Sequence, residues 1–173
     1  TGTKTFPQKI EGKIEFRNVS FAYKEGEPVL EDLSFSIEAG ETVAIVGYTG
    51  AGKTTIANLL ARLWDIDEGS ILIDGVDIRE VPLSELRRIV QQQDVFLFAD
   101  SIEENIRLGR DIPEERIRES AKTVRADDFI RKLPKHYATE LNEAGANLST
   151  GQRQLIAFSR AVAHDPRVLI LDE

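Results

Sequence analysis

The residues Gly47-Tyr48-Thr49-Gly50-Ala51-Gly52-Lys53-Thr54 match the pattern G-x-x-x-x-G-K-[ST] in full. Before them, Thr42-Val43-Ala44-Ile45-Val46 is apolar and rich in β-branched residues, and reads as a buried strand. After them, Ile56, Leu59, Leu60 and Leu63 recur at the i, i+3, i+4, i+7 spacing of one helix face, which predicts a helix to about Trp64. Strand, glycine-rich turn and helix in that order restrict the chain to an α/β architecture. They also restrict its chemistry, because glycines let backbone N–H groups point inward at phosphate oxygens while the positive end of the helix dipole adds to the attraction. In such a loop Lys53 reaches the β- and γ-phosphates, and the Thr54 hydroxyl sits where Mg²⁺ bridges them. The other metal ligand is usually an aspartate at the end of a distant buried strand, and Asp172 is placed for that role. The bland alternative is a glycine-rich turn with a solvent lysine, and both flanks weigh against it.

The bulk properties narrow the partners. At 173 residues the chain can bury a substantial core in one domain, with room for a small second lobe. An apolar content of 41% with 30% charged residues leaves no reason for disorder beyond about the first ten residues. A net charge of −8 argues against a nucleic-acid surface, and the pair Arg87-Arg88 is too small to reverse that. The absence of cysteine removes disulfides, thiolate metal sites and a cysteine nucleophile, and is compatible with a reducing compartment. No apolar run approaches the roughly 18 residues needed to cross a bilayer, and no signal-peptide pattern opens the chain. There is no methionine even at position 1, and the chain stops on a strand pattern followed by two acids. The expectation is an excerpt from a longer polypeptide.

Along the chain, residues 1–12 have linker composition, and Ile14, Phe16, Val19 and Phe21 read as the inward side of a first, half-buried strand. Tyr23 closes that strand before a turn rich in Lys, Glu, Gly and Pro; an edge-strand core residue is its plain reading. Leu33, Phe35 and Ile37 alternate in a second strand, and residues 70–75 form a short third one. Gln91-Gln92-Gln93 reads as polar loop before the apolar run 95–98. From Ser101 the pattern is helical: Ser101 and Glu104 have capping-box spacing, Pro113 opens a helix with Ile117, Ala121 and Val124 on one face, and a third helix covers 127–133. Three short helices without an intervening strand predict a helical lobe inserted in the α/β core. Ser149 is a good N-cap for a helix with Leu155, Ile156, Phe158, Ser159 and Val162, and residues 167–173 read as a buried parallel strand ending in two carboxylates.

Taken together, the phosphate loop, Leu148-Ser149-Thr150-Gly151-Gln152-Arg153-Gln154 before a helix, and the 168–173 strand resemble the nucleotide-binding domain of ATP-binding cassette (ABC) transporters. The resemblance covers nearly the whole chain and is closest to the exporter type. It implies a P-loop NTPase (RecA-like) α/β core with an N-terminal antiparallel β layer and an inserted helical subdomain at about 95–150. Residues 1–12 would then be a linker from an upstream transmembrane domain, and 13–173 a nucleotide-binding domain truncated after its Walker B strand. By the same resemblance Tyr23 matches the aromatic that stacks on adenine, and Gly47 to Thr54 with Thr55 match the Walker A loop. Asp172 matches the Walker B magnesium ligand, Glu173 looks like the general base, and Gln93 looks like the glutamine that senses the γ-phosphate and Mg²⁺. Leu148, Ser149, Thr150, Gly151 and Gln152 look like the signature motif, which closes over ATP held by an opposite subunit.

That last role has a physical basis, since a helix N-terminus and a serine hydroxyl can bind a γ-phosphate whose other side is held by Lys53. The implied activity is ATP hydrolysis coupled to export, with ATP and Mg²⁺ as cofactors and weak or no activity in the isolated excerpt. Its partners would be a second nucleotide-binding domain, identical or not, and a transmembrane domain of the same polypeptide. The place of work would be the cytoplasmic face of a membrane, the excerpt itself being soluble. The segment 139–145 resembles the acidic stretch before an exporter signature, where Glu143 would touch the membrane domain; a solvated acidic loop is the alternative.

Two other classes compete: a soluble cassette ATPase of DNA maintenance or translation, and a degenerate cassette that binds ATP without hydrolysing it. The short helical stretch between Gln93 and Leu148 and the acidic charge weigh against the first, and the carboxylate of Glu173 against the second. Three departures from the family pattern stand out: Thr150 occupies a usual glycine position, the segment from Arg88 to Gln93 is short by about two residues, and the sequence stops at Glu173 ahead of the expected D-loop and switch histidine, neither His136 nor His164 lying where that histidine belongs.

Overall fold

The computed structural model describes every residue except Thr1, Gln93, Asp94 and Glu173. The chain divides into two compact units, residues 1–92 with 167–173, and residues 93–166.

The first unit is built on two long antiparallel strands, β1 (Ile14–Lys24) and β2 (Glu27–Ile37), extended by β3 (Glu68–Ile73) and β4 (Val76–Asp77) into a sheet of order β2-β1-β3-β4. A strict period of two starting from Ile14 and Phe16 would turn Asn18 into the core and Val19 out of it. Instead Asn18 takes a left-handed backbone, φ 49°, the register shifts there, and Val19 is fully buried. Asp32 makes the matching irregularity in β2, and the Asn18 side-chain amide donates to its carboxylate at 2.6 Å. The carbonyls of Arg17 and Asn18 press so close to Gly69 that an added Cβ would lie 2.3 Å from the Asn18 oxygen, so the start of β3 requires glycine. Across the β1–β2 ladder Phe16 stacks on Phe35 with ring centroids 4.6 Å apart, the kind of pair that adds about 1 kcal/mol beyond area burial.

Helix α1 (Lys53–Leu60) follows the glycine-rich loop, and Leu59 and Leu60 sink into the same core as Phe16, Ile71 and Ile73. It is shorter than the apolar spacing predicts. Arg62 adopts φ 51°, its N–H bonds the Leu59 carbonyl and that of Leu63 bonds Asn58, so a Schellman-type stop leaves Leu63 and Trp64 half exposed. Arg62 holds the turn by pairing with Asp65 and donating to the carbonyls of Ile78 and Val81.

Helix α2 (Leu83–Ile89) leads into β5 (Val90–Gln92), which pairs in parallel with β6 (Val168–Ile170). Gln91 and Gln92 therefore lie in a strand, not in the polar loop their composition predicts. Two further expectations change. Residues 42–46 join no ladder, and Val43, Ile45 and Val46 are exposed; β6 ends at Ile170 with Leu169 and Leu171 exposed. Both sequences carry strand chemistry, but a buried parallel strand needs a ladder on each edge, and among the described residues this sheet has two strands.

The N-terminal segment has no assigned helix or strand, yet it is pinned. Phe6 is buried, its N–H donates to Glu85, Lys4 pairs with Glu80, and the Asp74 carboxylate accepts from the N–H groups of Glu11, Gly12 and Lys13.

The second unit is helical: α3 (Ile102–Arg107), α4 (Glu114–Thr123), α5 (Asp127–Ile130) and α6 (Thr150–His164) close around Leu97, Ile106, Ile117, Ile130 and Ile156. Ser101 caps α3 by accepting from the Glu104 N–H, and Pro113 precedes α4, as the local chemistry predicts. Buried Asn105 fixes the turn ahead of α3 by accepting from Phe98 N–H and donating to the carbonyls of Phe98 and Ser101. Arg160, on the inner side of α6, donates to the carbonyls of Asn105 and Phe96. Of the apolar run 95–98 only Leu97 is buried. Among the described residues no helix is long and apolar enough to cross a membrane.

Candidate nucleotide site

Helix α1 begins without a side-chain cap and without an acid in its first turn; its N-cap is Gly52, φ 84°. The first N–H groups of any helix lack intrahelical acceptors, so this end presents bare donors and the positive end of the dipole. Gly50 takes the same left-handed backbone, in a turn where the Ala51 N–H donates to the Tyr48 carbonyl at 3.0 Å. A Cβ on Gly52 would lie 2.8 Å from Leu30 of β2, so the loop is seated directly on the antiparallel sheet. Tyr48 at the loop's crest is 92% exposed, and Thr49 and Ala51 are exposed beside it. Lys53 lies along the loop, donating from its ammonium to the carbonyls of Gly47 at 2.7 Å and Tyr48 at 2.8 Å. The cation is thus held among the loop's own backbone groups, where a phosphate oxygen would be a stronger, charged acceptor.

Two side chains far apart in sequence meet at the head of α1. The Thr54 hydroxyl lies 3.4 Å from the Asp172 carboxylate, just past the end of β6. A hydroxyl and a carboxylate oxygen are hard donors of the kind Mg²⁺ takes. Among the described residues no three His, Asp or Glu side chains converge elsewhere into a metal cage.

Beside the loop, Tyr23 near the end of β1 is 43% exposed and shares a hydrogen bond with buried Thr55 at 3.2 Å between oxygens. Its ring stands perpendicular to Phe21 and to Trp64, at centroid distances of 4.8 and 5.3 Å. It is therefore a surface aromatic anchored to the helix of the phosphate loop, not a filled edge-strand core position. Trp64 is a contact that sequence reasoning missed. Its place depends on the stop at Arg62, for which no glycine signalled.

Leu148, Ser149, Thr150, Gly151 and Gln152 belong to the other unit. Leu148 is buried, and Ser149 caps α6 through a complete capping box, its hydroxyl accepting from Gln152 N–H while the Gln152 side chain accepts from Ser149 N–H at 3.0 Å. Thr150 is the first helical residue, with its hydroxyl accepting from Arg153. Gly151 is exposed, and a Cβ added there would meet nothing within 4 Å. Gln93 and Glu173 lie outside the described residues.

A glycine-rich phosphate loop entering a helix, an aspartate brought to that helix's first turn by a parallel strand, and an antiparallel layer beneath define a P-loop NTPase. A family model described as ABC transporter matches residues 30–173, and the chain belongs to that family. It is 48% identical to the uncharacterised ABC transporter ATP-binding protein YknV of Bacillus subtilis, over 96% of this chain and 28% of that protein. It is 47% identical to the ATP-dependent lipid A-core flippase of Legionella pneumophila, over 96% and 29%. With the β-(1→2)glucan export ATP-binding/permease protein NdvA of Rhizobium johnstonii it shares 48% identity over 95% and 28%. Among solved structures, a bacterial Atm1-family ABC exporter with ATP bound superposes with a TM-score of 0.88 at 43% identity, over 94% of this chain and 29% of that one. The chain thus spans under a third of the length of the relatives it matches. Its fold is the P-loop NTPase fold of an ABC ATPase domain, with an antiparallel N-terminal sheet and added helices.

Proposed function

We propose that the chain is the ATP-binding and ATP-hydrolysing motor of an ABC exporter, dimerising around ATP to drive substrate export by a transmembrane domain of the same polypeptide. The observation that carries the reading is the meeting of Thr54 and Asp172 at the uncapped N-terminus of α1. Membership of the family and the exporter names of its relatives support it.

In this reading the loop amides 47–54 and the Lys53 ammonium hold the β- and γ-phosphates. Lys53 exchanges the neutral carbonyls of Gly47 and Tyr48 for phosphate oxygens, a gain because the acceptor then carries a charge opposite to that of the ammonium. Thr54 and Asp172 would hold Mg²⁺, which when bound supplies neutralisation of phosphate charge. Tyr23 offers a flat ring to the base, and Thr55 tethers that ring. Glu173 takes the part of general base toward the attacking water, and Gln93 the part of the residue that senses γ-phosphate and metal; both roles rest on the family motif. Ser149 and the first turn of α6 serve the ATP of an opposite copy, with the Gln152 capping box fixing the serine. Residues 1–12 connect to the upstream membrane domain, residues 13–173 form the nucleotide-binding domain with its helical subdomain at about 95–150, and the assembly works at the cytoplasmic face.

A two-copy site makes association depend on nucleotide. Sedimentation of the chain carrying Glu173→Gln, at rising concentration, should give monomers alone without nucleotide and dimers with Mg-ATP. A chain that binds ATP and stays monomeric throughout would contradict the shared site.

A further inference from the structure

Resting on the nucleotide-binding reading above, we infer that Trp64 is a positioning residue for base recognition, fixing the plane of the Tyr23 ring on which a purine lies. Three contacts define that ring. Thr55 holds its hydroxyl at 3.2 Å, which sets the direction of the ring's long axis. Phe21 and Trp64 stand at 86° and 89° to it, which sets rotation about that axis. Thr55 and Phe21 are buried, so their places are dictated by the core; Trp64 is 51% exposed and lies beyond the end of α1. Burial therefore does not account for an indole held here at 5.3 Å from Tyr23 and 6.3 Å from Phe21. Edge-to-face packing is favourable for such rings, and a ring held at one angle loses less conformational entropy when a base stacks on it.

Trp64 sits on the turn that Arg62 closes with Asp65, directly after the helix whose first turn carries Lys53 and Thr54. Loop, helix, indole and tyrosine form one connected path within the first unit.

The test is calorimetric titration of the chain and of Trp64→Ala and Trp64→Phe with Mg-ATP and, separately, with inorganic tripolyphosphate, which engages the loop without a base. Trp64→Ala should weaken ATP about tenfold and leave tripolyphosphate unchanged within twofold, and Trp64→Phe should recover all but about threefold of the loss. As Trp64 is the sole tryptophan, its emission in the parent chain should shift with ATP and not with tripolyphosphate. Equal ATP affinity in parent and Trp64→Ala overturns the inference and leaves the nucleotide reading intact. Parallel loss of both ligands assigns Trp64 a purely structural role and also overturns it. A parent chain that binds neither ligand removes the nucleotide reading itself, and the inference with it.

Discussion

The Thr54 hydroxyl and the Asp172 carboxylate stand 3.4 Å apart, although 118 positions separate them in the chain. Asp172 lies just past the end of β6, the strand that pairs in parallel with β5 in the same unit as α1. If the pair holds Mg²⁺, Asp172→Asn keeps shape and removes charge. The parent chain should bind ATP more tightly with Mg²⁺ than with a chelator, and in the variant that ratio should fall toward one. An unchanged ratio in a titration at fixed ATP would free Asp172 from metal binding.

Gly52 is where the phosphate loop rests on the β layer. Gly52→Ala meets both a left-handed backbone, costing about 1–2 kcal/mol, and a Cβ 2.8 Å from Leu30. Urea unfolding should show a midpoint lowered accordingly, whereas Gly50→Ala, with open space around the added methyl, should suffer the backbone part alone. Equal midpoints for the two variants would mean that Leu30 yields without cost.

Ser149→Ala removes one half of the capping box of α6, at a cost of about 1 kcal/mol. Thermal unfolding should register the loss, and Ser149→Asp, which can accept the same Gln152 N–H, should restore most of it. Failure of aspartate to rescue would point away from capping.

His164 supplies a pH signature. Burial, aided by the nearby Arg110 charge, holds its imidazole below the ordinary value of 6.5, while Nε2 donates to the carbonyls of Ile106 and Arg107 at 3.0 and 3.1 Å. The unfolded chain takes up a proton near pH 6.5 and the folded one only at lower pH, so stability is complete above 6.5 and is lost as pH falls below it. His164→Gln should flatten that part of the stability profile between about pH 7 and 5. A profile unaltered by the substitution would assign the slope to carboxylates.

What could be read in advance was local chemistry. The caps at Ser101 and Ser149, the proline before α4, the inward residues Ile14 and Phe16 and the phosphate loop all follow from neighbours within a few positions. What escaped depended on distant partners or on residues in unaccustomed roles. Asn18 makes a bulge that no period-two count anticipates, and Arg62 stops α1 in a conformation usually given to glycine. Gln91 and Gln92 form a strand because β6 pairs with them, while Thr42 to Val46, with stronger strand chemistry, find no ladder among the described residues. Tyr23 divides the same way: its place at the strand end was legible, its bond to Thr55 was not.

The most direct test is equilibrium binding of Mg-ATP to the chain beside Lys53→Ala, with unfolding curves for both. Saturable binding is expected, at least about tenfold weaker in the variant because a charged hydrogen bond to phosphate is lost, with folding intact. Equal binding by the two chains, or none by a parent chain that still unfolds cooperatively, would contradict a phosphate site built on Lys53.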